Sequence, residues 1–146
     1  MAYQDALNAR SLRFRVLVLD LDDRTLITLE RVMEEAGFDT ATTWSSREAF
    51  SWLEKQRFEL MIVGDHPPEI DAYAMLHRLR TIHRHVPSIV MRAARPLPDD
   101  PNLNEFVVTL PGCAAAEILA QAHRILSRSV LQTTRPSVHW ANASRQ

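Results

Sequence analysis

Apolar residues arrive along the chain in short runs separated by amphipathic stretches. Arg15 to Asp20, RVLVLD, is near-continuously apolar, as expected of a central strand covered on both faces. Asp22 or Asp23 then caps a helix whose inner stripe is Leu26, Leu29, Val32, Met33 and Ala36, and Gly37 supplies its stop. Phe38 to Thr43 reads as a second strand. Ser45 with Glu48 forms a capping box that opens a helix burying Ala49, Phe50, Trp52 and Leu53. Phe58 to Val63 makes a third strand. A helix over Ala72 to His85 follows, with Met75, Leu76, Leu79 and Ile82 inward and Pro87 ending it.

Ser88 to Ala93 and Phe106 to Leu110 complete the strands. Between them, Ala94 to Asn104 holds Pro96, Pro98 and Pro101, which permit a loop or one turn at most, because each proline removes a donor and clashes with the preceding turn. Ala114 to Ser127 is the last helix, with Ala115, Ile118, Leu119, Ala122, Ile125 and Leu126 on one face. Strands alternating with helices predict an α/β chain, a doubly wound five-stranded parallel sheet with functional groups at the carboxyl ends of its strands. The expected division is 1–14 as an N-terminal extension, 15–128 as the domain and 129–146 as a tail without pattern.

Composition removes several classes. With 146 residues, 46% apolar and 24% charged, the chain fits one domain and is neither disordered nor fibrous in type. No apolar run approaches the roughly 20 residues that span a bilayer. The first residues, MAYQDALNARSLR, lack the apolar region of an export signal, so a cytoplasmic location and no membrane partner are expected. One cysteine, Cys113, supports neither an internal disulfide nor structural zinc, and no histidine partner for thiol catalysis is indicated. A net charge of -1 argues against a nucleic-acid partner. Basic groups do crowd one segment, where Arg78, Arg80, His83 and Arg84 form either a solvated helix face or an interaction patch. Trp44, Trp52 and Trp140 read as packing residues.

Four segments in order resemble the receiver domains of bacterial response regulators: RVLVLDLDD, FELMIVGDHPPEIDAY, VPSIVMRAA and FVVTLPG, within Arg15 to Ser127. The resemblance implies the receiver, flavodoxin-like strand order 2-1-3-4-5, here with the fourth helix replaced by the proline-rich loop. It also implies a site, most of which has changed. Receivers hold Mg²⁺ with an acidic pair after the first strand; Asp20 matches the first acid, and Leu21 stands at the second. The phosphoacceptor aspartate position, placed from Phe58 on one side and Pro68 on the other, falls on Gly64. The hydroxyl that ends the fourth strand corresponds to Arg92, the lysine before a proline to Leu110, and the aromatic switch to Val107. Lys55 is the only lysine, and no serine or threonine lies between Ile89 and Val108, so no register shift restores either group.

A nucleophile, a metal carboxylate, a hydroxyl and a cation are therefore missing from a reaction that depends on them. The chain resembles the pseudo-receivers, non-enzymatic modules that work in two-component pathways through protein contacts without phosphorylation. The implied partner is another signalling protein, a histidine kinase, response regulator or other regulator, with a homodimer also open. No cofactor is expected. Two readings stand beside this one. Asp65, one residue beyond the acceptor position, substitutes for it only if the strand end bulges, since neighbouring side chains point to opposite faces. A flavodoxin-like ligand binder needs a glycine-rich phosphate loop, and Gly37, Gly64 and Gly112 are the only glycines. Asp20 and Asp22 are the weak candidates for residual Mg²⁺, and Arg92 is placed to pair with Asp20 in the vacated pocket. His66 has no partner at ligand spacing.

Overall fold

The computed structural model describes residues 13–82, 85–100, 103 and 106–133; the side chains of 129–133 are outside that description. His83, Arg84, Trp140 and the tail from residue 134 therefore lie outside the described residues. The elements are β1 (Arg15–Leu19), α1 (Asp23–Glu35), β2 (Asp39–Thr43), α2 (Ser46–Lys55), β3 (Leu60–Gly64), α3 (Ala72–Thr81), β4 (Ser88–Met91), β5 (Val107–Thr109) and α4 (Ala115–Thr133). All five strands are parallel, in the order β2-β1-β3-β4-β5.

Period-two alternation distributes the core. Leu17, Leu19, Met61, Val63, Val90 and Val107 face α2 and α3. Val16, Val18, Leu60, Ile62, Ile89 and Met91 face α1 and α4. Every residue of β3 is buried, as the continuous apolar run requires of a central parallel strand. Burying each large side chain of this kind contributes about 1.5–3 kcal/mol, so the two apolar layers fix which face each strand residue takes.

Helix ends follow local chemistry. Asp22 caps α1, accepting from the backbone of Arg24 and from the Thr25 hydroxyl. At the other end Phe38 N–H donates to Met33 at 3.0 Å and Gly37 N–H to Glu34 at 3.0 Å, the paired bonds of a Schellman stop. Gly37 takes φ +98° there. Gly37→Ala is expected to cost about 1–2 kcal/mol, because an L side chain is strained in that conformation, and thermal melts check it; an unchanged midpoint would refute the assignment. Asp71 caps α3 through Ala74 N–H. Ser45 caps α2 through Glu48 N–H, but the reciprocal arm of the expected box is absent. Glu48 instead accepts from the Thr43 hydroxyl at 2.6 Å, and Thr43 Oγ1 accepts from Ser45 N–H at 3.0 Å, so a threonine relays the cap.

Several boundaries differ from the sequence pattern. α3 ends at Thr81, and Ile82, expected inward, is 40% exposed. α4 continues past Ser127 to Thr133, since neither glycine nor proline interrupts it there. Between β4 and β5 the one helical position among the described residues is the buried Leu103, whose N–H donates to Asp100 O at 2.9 Å. Trp52 packs partly against the core, whereas Trp44 is 67% exposed and is not a packing residue. No described helix is long and apolar enough to cross a membrane.

Candidate functional site

Strand register gathers the site at one edge. Leu19 pairs with Thr43 and Val63, and Gly64 with Met91, so Asp20, Gly64 and Arg92 leave neighbouring strands at the same level. Asp20 is fully buried. An isolated carboxylate there would carry a desolvation cost of several kcal/mol, so its partners decide whether the site stands. It has three. Arg92 Nη1 ion-pairs with Asp20 Oδ2, His66 Nε2 lies 3.0 Å from Oδ1, and Asp22 N–H donates to Oδ1 at 2.8 Å.

Arg92 is itself held. Its Nη2 donates to the Thr25 hydroxyl at 2.8 Å and lies 3.6 Å from Asp22 Oδ2. Its backbone takes φ +54°, the left-handed region, and its N–H donates to Gly112 O at 3.1 Å. That conformation costs a non-glycine residue about 1–2 kcal/mol, and the turn it makes comes immediately after β4. The Asp22 carboxyl lies below its ordinary range, first because of the Thr25 hydroxyl, while partial desolvation opposes the shift.

Gly64 leaves no space for an acceptor. A Cβ built on it would stand 2.9 Å from Asp20 Cγ and 3.1 Å from His66 Nε2, closer than packed atoms tolerate. The Asp20 side chain and the His66 ring thus crowd the place a side chain at residue 64 would fill.

Asp65 points elsewhere, as strand alternation requires. Its side chain is 2% exposed and sits between α3 and the proline-rich loop. Ala72 N–H donates to Oδ1 at 3.1 Å, and Arg95 chelates both oxygens, Nη2 at 2.9 and 3.0 Å and Nε at 3.2 Å. Arg95 also reaches Asp71 Oδ1 at 3.1 Å and stacks over the Tyr73 ring, whose hydroxyl donates back to Arg95 O at 3.0 Å. Asp71 is held below its ordinary range chiefly by the Ala74 N–H, and burial raises Tyr73. The guanidinium of Arg95 is raised, first through its bond to Asp71.

Of the other expected positions, Leu110 is buried among the residues facing α1 and α4, Val107 is buried on the opposite face, and Leu21 is 40% exposed. Of the expected basic patch, His83 and Arg84 lie outside the described residues, and Arg78 and Arg80 meet different neighbours. Arg78 stacks over Phe50 on α2, while Arg80 turns toward Phe106 and His85. Two residues apart on a helix means about 200° of rotation, which divides the pair between flanks. Sequence reasoning missed His66 and Arg95. A histidine two residues after Gly64 was the only signal for the first, and an arginine in a loop without period left none for the second.

The receiver fold implies Mg²⁺, but the donors do not suit it. Mg²⁺ takes octahedral oxygen ligands, usually one or two carboxylates with water. Here both Asp20 oxygens are engaged, one of them by a guanidinium, Asp22 is occupied with its cap and Arg92, and residue 64 supplies no oxygen donor from a side chain. Among the described residues, no three His, Cys, Asp or Glu side chains gather as metal ligands do.

Strand order and the cluster of β1, β3 and β4 ends define a receiver fold, as the sequence resemblance implied. Known proteins agree. The chain is similar to the transcriptional regulatory protein PrrA of Mycobacterium tuberculosis and of Mycobacterium bovis, 27% identical over 119 residues in each case, covering 78% of this chain. It spans about half the length of those relatives, 50%. Among solved structures, a two-component response regulator from Clostridium difficile superposes with TM-score 0.68 at 21% identity, covering 80% of this chain and 98% of that one. The receiver domain of a signal transduction histidine kinase from Syntrophus aciditrophicus gives 0.62 at 25% identity, covering 78% and 90%. A response regulator receiver domain from Methanospirillum hungatei gives 0.69 at 16% identity, covering 82% and 98%. No family model matches the chain.

Proposed function

We propose that the chain is a receiver-type signalling module that acts through protein contacts and is not phosphorylated. One observation carries this reading: where a receiver would bind Mg²⁺ and present an acceptor carboxylate, Asp20 is clasped by Arg92 and His66 against a glycine with no room for a side chain. A permanent guanidinium stands where a switched phosphoryl group and its metal would alternate. The module performs no catalysis and needs no cofactor. Its partner is another signalling protein, by analogy with the regulators and the kinase whose domains it matches.

The flavodoxin-like alternative loses its support at the first helix. The α1 N-terminus, where such a sheet would take a phosphate, already has the Asp22 carboxylate as its cap. The Asp65 alternative lacks support for a different reason. Attack by that carboxylate requires it to leave Arg95 and the α3 N-terminus.

Incubation with acetyl phosphate and Mg²⁺, followed by intact-mass measurement, is the deciding experiment. No gain of about 80 Da, the mass a phosphoryl group adds, is expected. A stoichiometric gain that disappears in Asp65→Asn would overturn the proposal in favour of an active receiver.

A further inference from the structure

Large apolar side chains exposed among the described residues number four, and two of them, Ile27 and Trp44, flank one hollow at the β2 edge of the sheet. Each is 67% exposed. Ile27 stands outside the inward stripe of α1, which is Thr25, Leu26, Leu29 and Met33, so core packing does not ask for an isoleucine there. Trp44 precedes the Ser45 cap, the position of a hydrophobic staple against Ala49. Ala49 is fully buried while two-thirds of Trp44 faces outward, so a staple uses little of the ring. The hollow between them measures about 210 Å³. That is below the roughly 300 Å³ at which small-molecule pockets begin, and suits a single inserted side chain.

Charge selects the occupant. Asp23 and Glu48 line the hollow with Leu26, Thr42 and Thr43, and no cation is among its lining groups. A second copy docking through the same surface would set two acidic rims against each other, which disfavours self-association. The larger groove between α2 and α3 makes no such choice, since Arg47 and Arg78 share it with Glu54 and Asp71.

We infer that the surface of Ile27, Trp44, Asp23 and Glu48 docks a partner segment that inserts one apolar or aromatic side chain and carries flanking lysine or arginine. Aromatic side chains at the centre of a contact dominate its energy, and the acidic rim steers the approach. The inference rests on reading the chain as a protein-binding module but not on the closed pocket, which lies at other residues.

Selection of random phage-displayed peptides on the immobilised full chain tests it, with the enriched peptides then synthesised. Enriched sequences are expected to pair an aromatic or aliphatic residue with lysine or arginine. Binding is expected to weaken about tenfold or more in Trp44→Ala, as for other central aromatic contacts. It is also expected to weaken in Asp23→Lys and with added salt. Both positions are surface ones, and unchanged melting curves verify folding of the variants. Peptides that bind Trp44→Ala as tightly as the native chain, or that lack basic residues, would overturn the site. A concentration-dependent dimer lost in Trp44→Ala would overturn it in favour of a second copy. Failure to enrich any peptide would count against the site, whereas a phosphoryl gain in the mass experiment would leave the site standing and remove only the phosphorylation-independent reading.

Discussion

Arg92→Met is expected to lower the melting temperature by about 10 °C. Removing one partner of a buried ion pair costs about 3–5 kcal/mol, because the remaining charge is left in low dielectric. Asp20 is completely buried, which favours the upper figure. Arg92 and His66 each keep about a quarter of their side chains exposed, 27% and 26%, which favours the lower. About 3 kcal/mol results, and for a domain of this size each kcal/mol moves the midpoint by about 3 °C. Two companion variants identify the cause. Arg92→Gly removes the same ion pair but relieves the left-handed strain at φ +54°, so it is expected to be milder than methionine by about 1 kcal/mol. Combining Asp20→Asn with Arg92→Met leaves no unpaired charge, and the double variant is expected to be more stable than the two separate losses predict. A midpoint for Arg92→Met within about 2 °C of the native chain, less than 1 kcal/mol, would refute the clasp.

That clasp was partly legible in the residues alone. Asp20 ends an unmistakable strand, Gly64 occupies the expected acceptor position, and Arg92 is the first residue after β4, so parallel register brings the three together. The five strands, the Asp22 cap and the Gly37 stop were legible for the same reason: each rests on local chemistry or on a two-residue period. His66 was not. It meets Asp20 only because the loop after β3 closes on itself through bonds of 2.8 and 2.9 Å between His66 and Ile70, and no pattern at its own position signals that closure. Arg95 is a similar case, reaching Asp65 across 30 residues from a segment where proline abolishes periodicity. The described half of the basic patch, Arg78 and Arg80, is a different case. Helical geometry alone separates Arg78 from Arg80, so the information was present, and counting charges along the chain instead of around the helix obscured it. Trp44 misled because aromatic residues are usually packed, and only the structure places this one outside the core.

Gly64→Asp returns a carboxylate to the position from which receivers accept phosphate, and the variant is expected to be both less stable and still unphosphorylated. The first Cβ already meets Asp20 Cγ at 2.9 Å and His66 Nε2 at 3.1 Å, so forcing a side chain into this space costs about 1–3 kcal/mol by overpacking. A second carboxylate against Asp20 adds like-charge repulsion in a buried setting, raising the total loss by about another 1 kcal/mol. Gly64→Ala separates the two effects, since it carries the steric part alone. Phosphoryl transfer would still lack its metal donors, because Asp20 remains paired with Arg92, and it would lack a cation at Leu110, which is buried among apolar neighbours. Acetyl phosphate with Mg²⁺ is therefore expected to leave the mass of Gly64→Asp unchanged. A stoichiometric gain of about 80 Da in that single variant would mean that the missing nucleophile alone had silenced the site. Arg92 would then be no barrier, and the receiver chemistry would stand one substitution away.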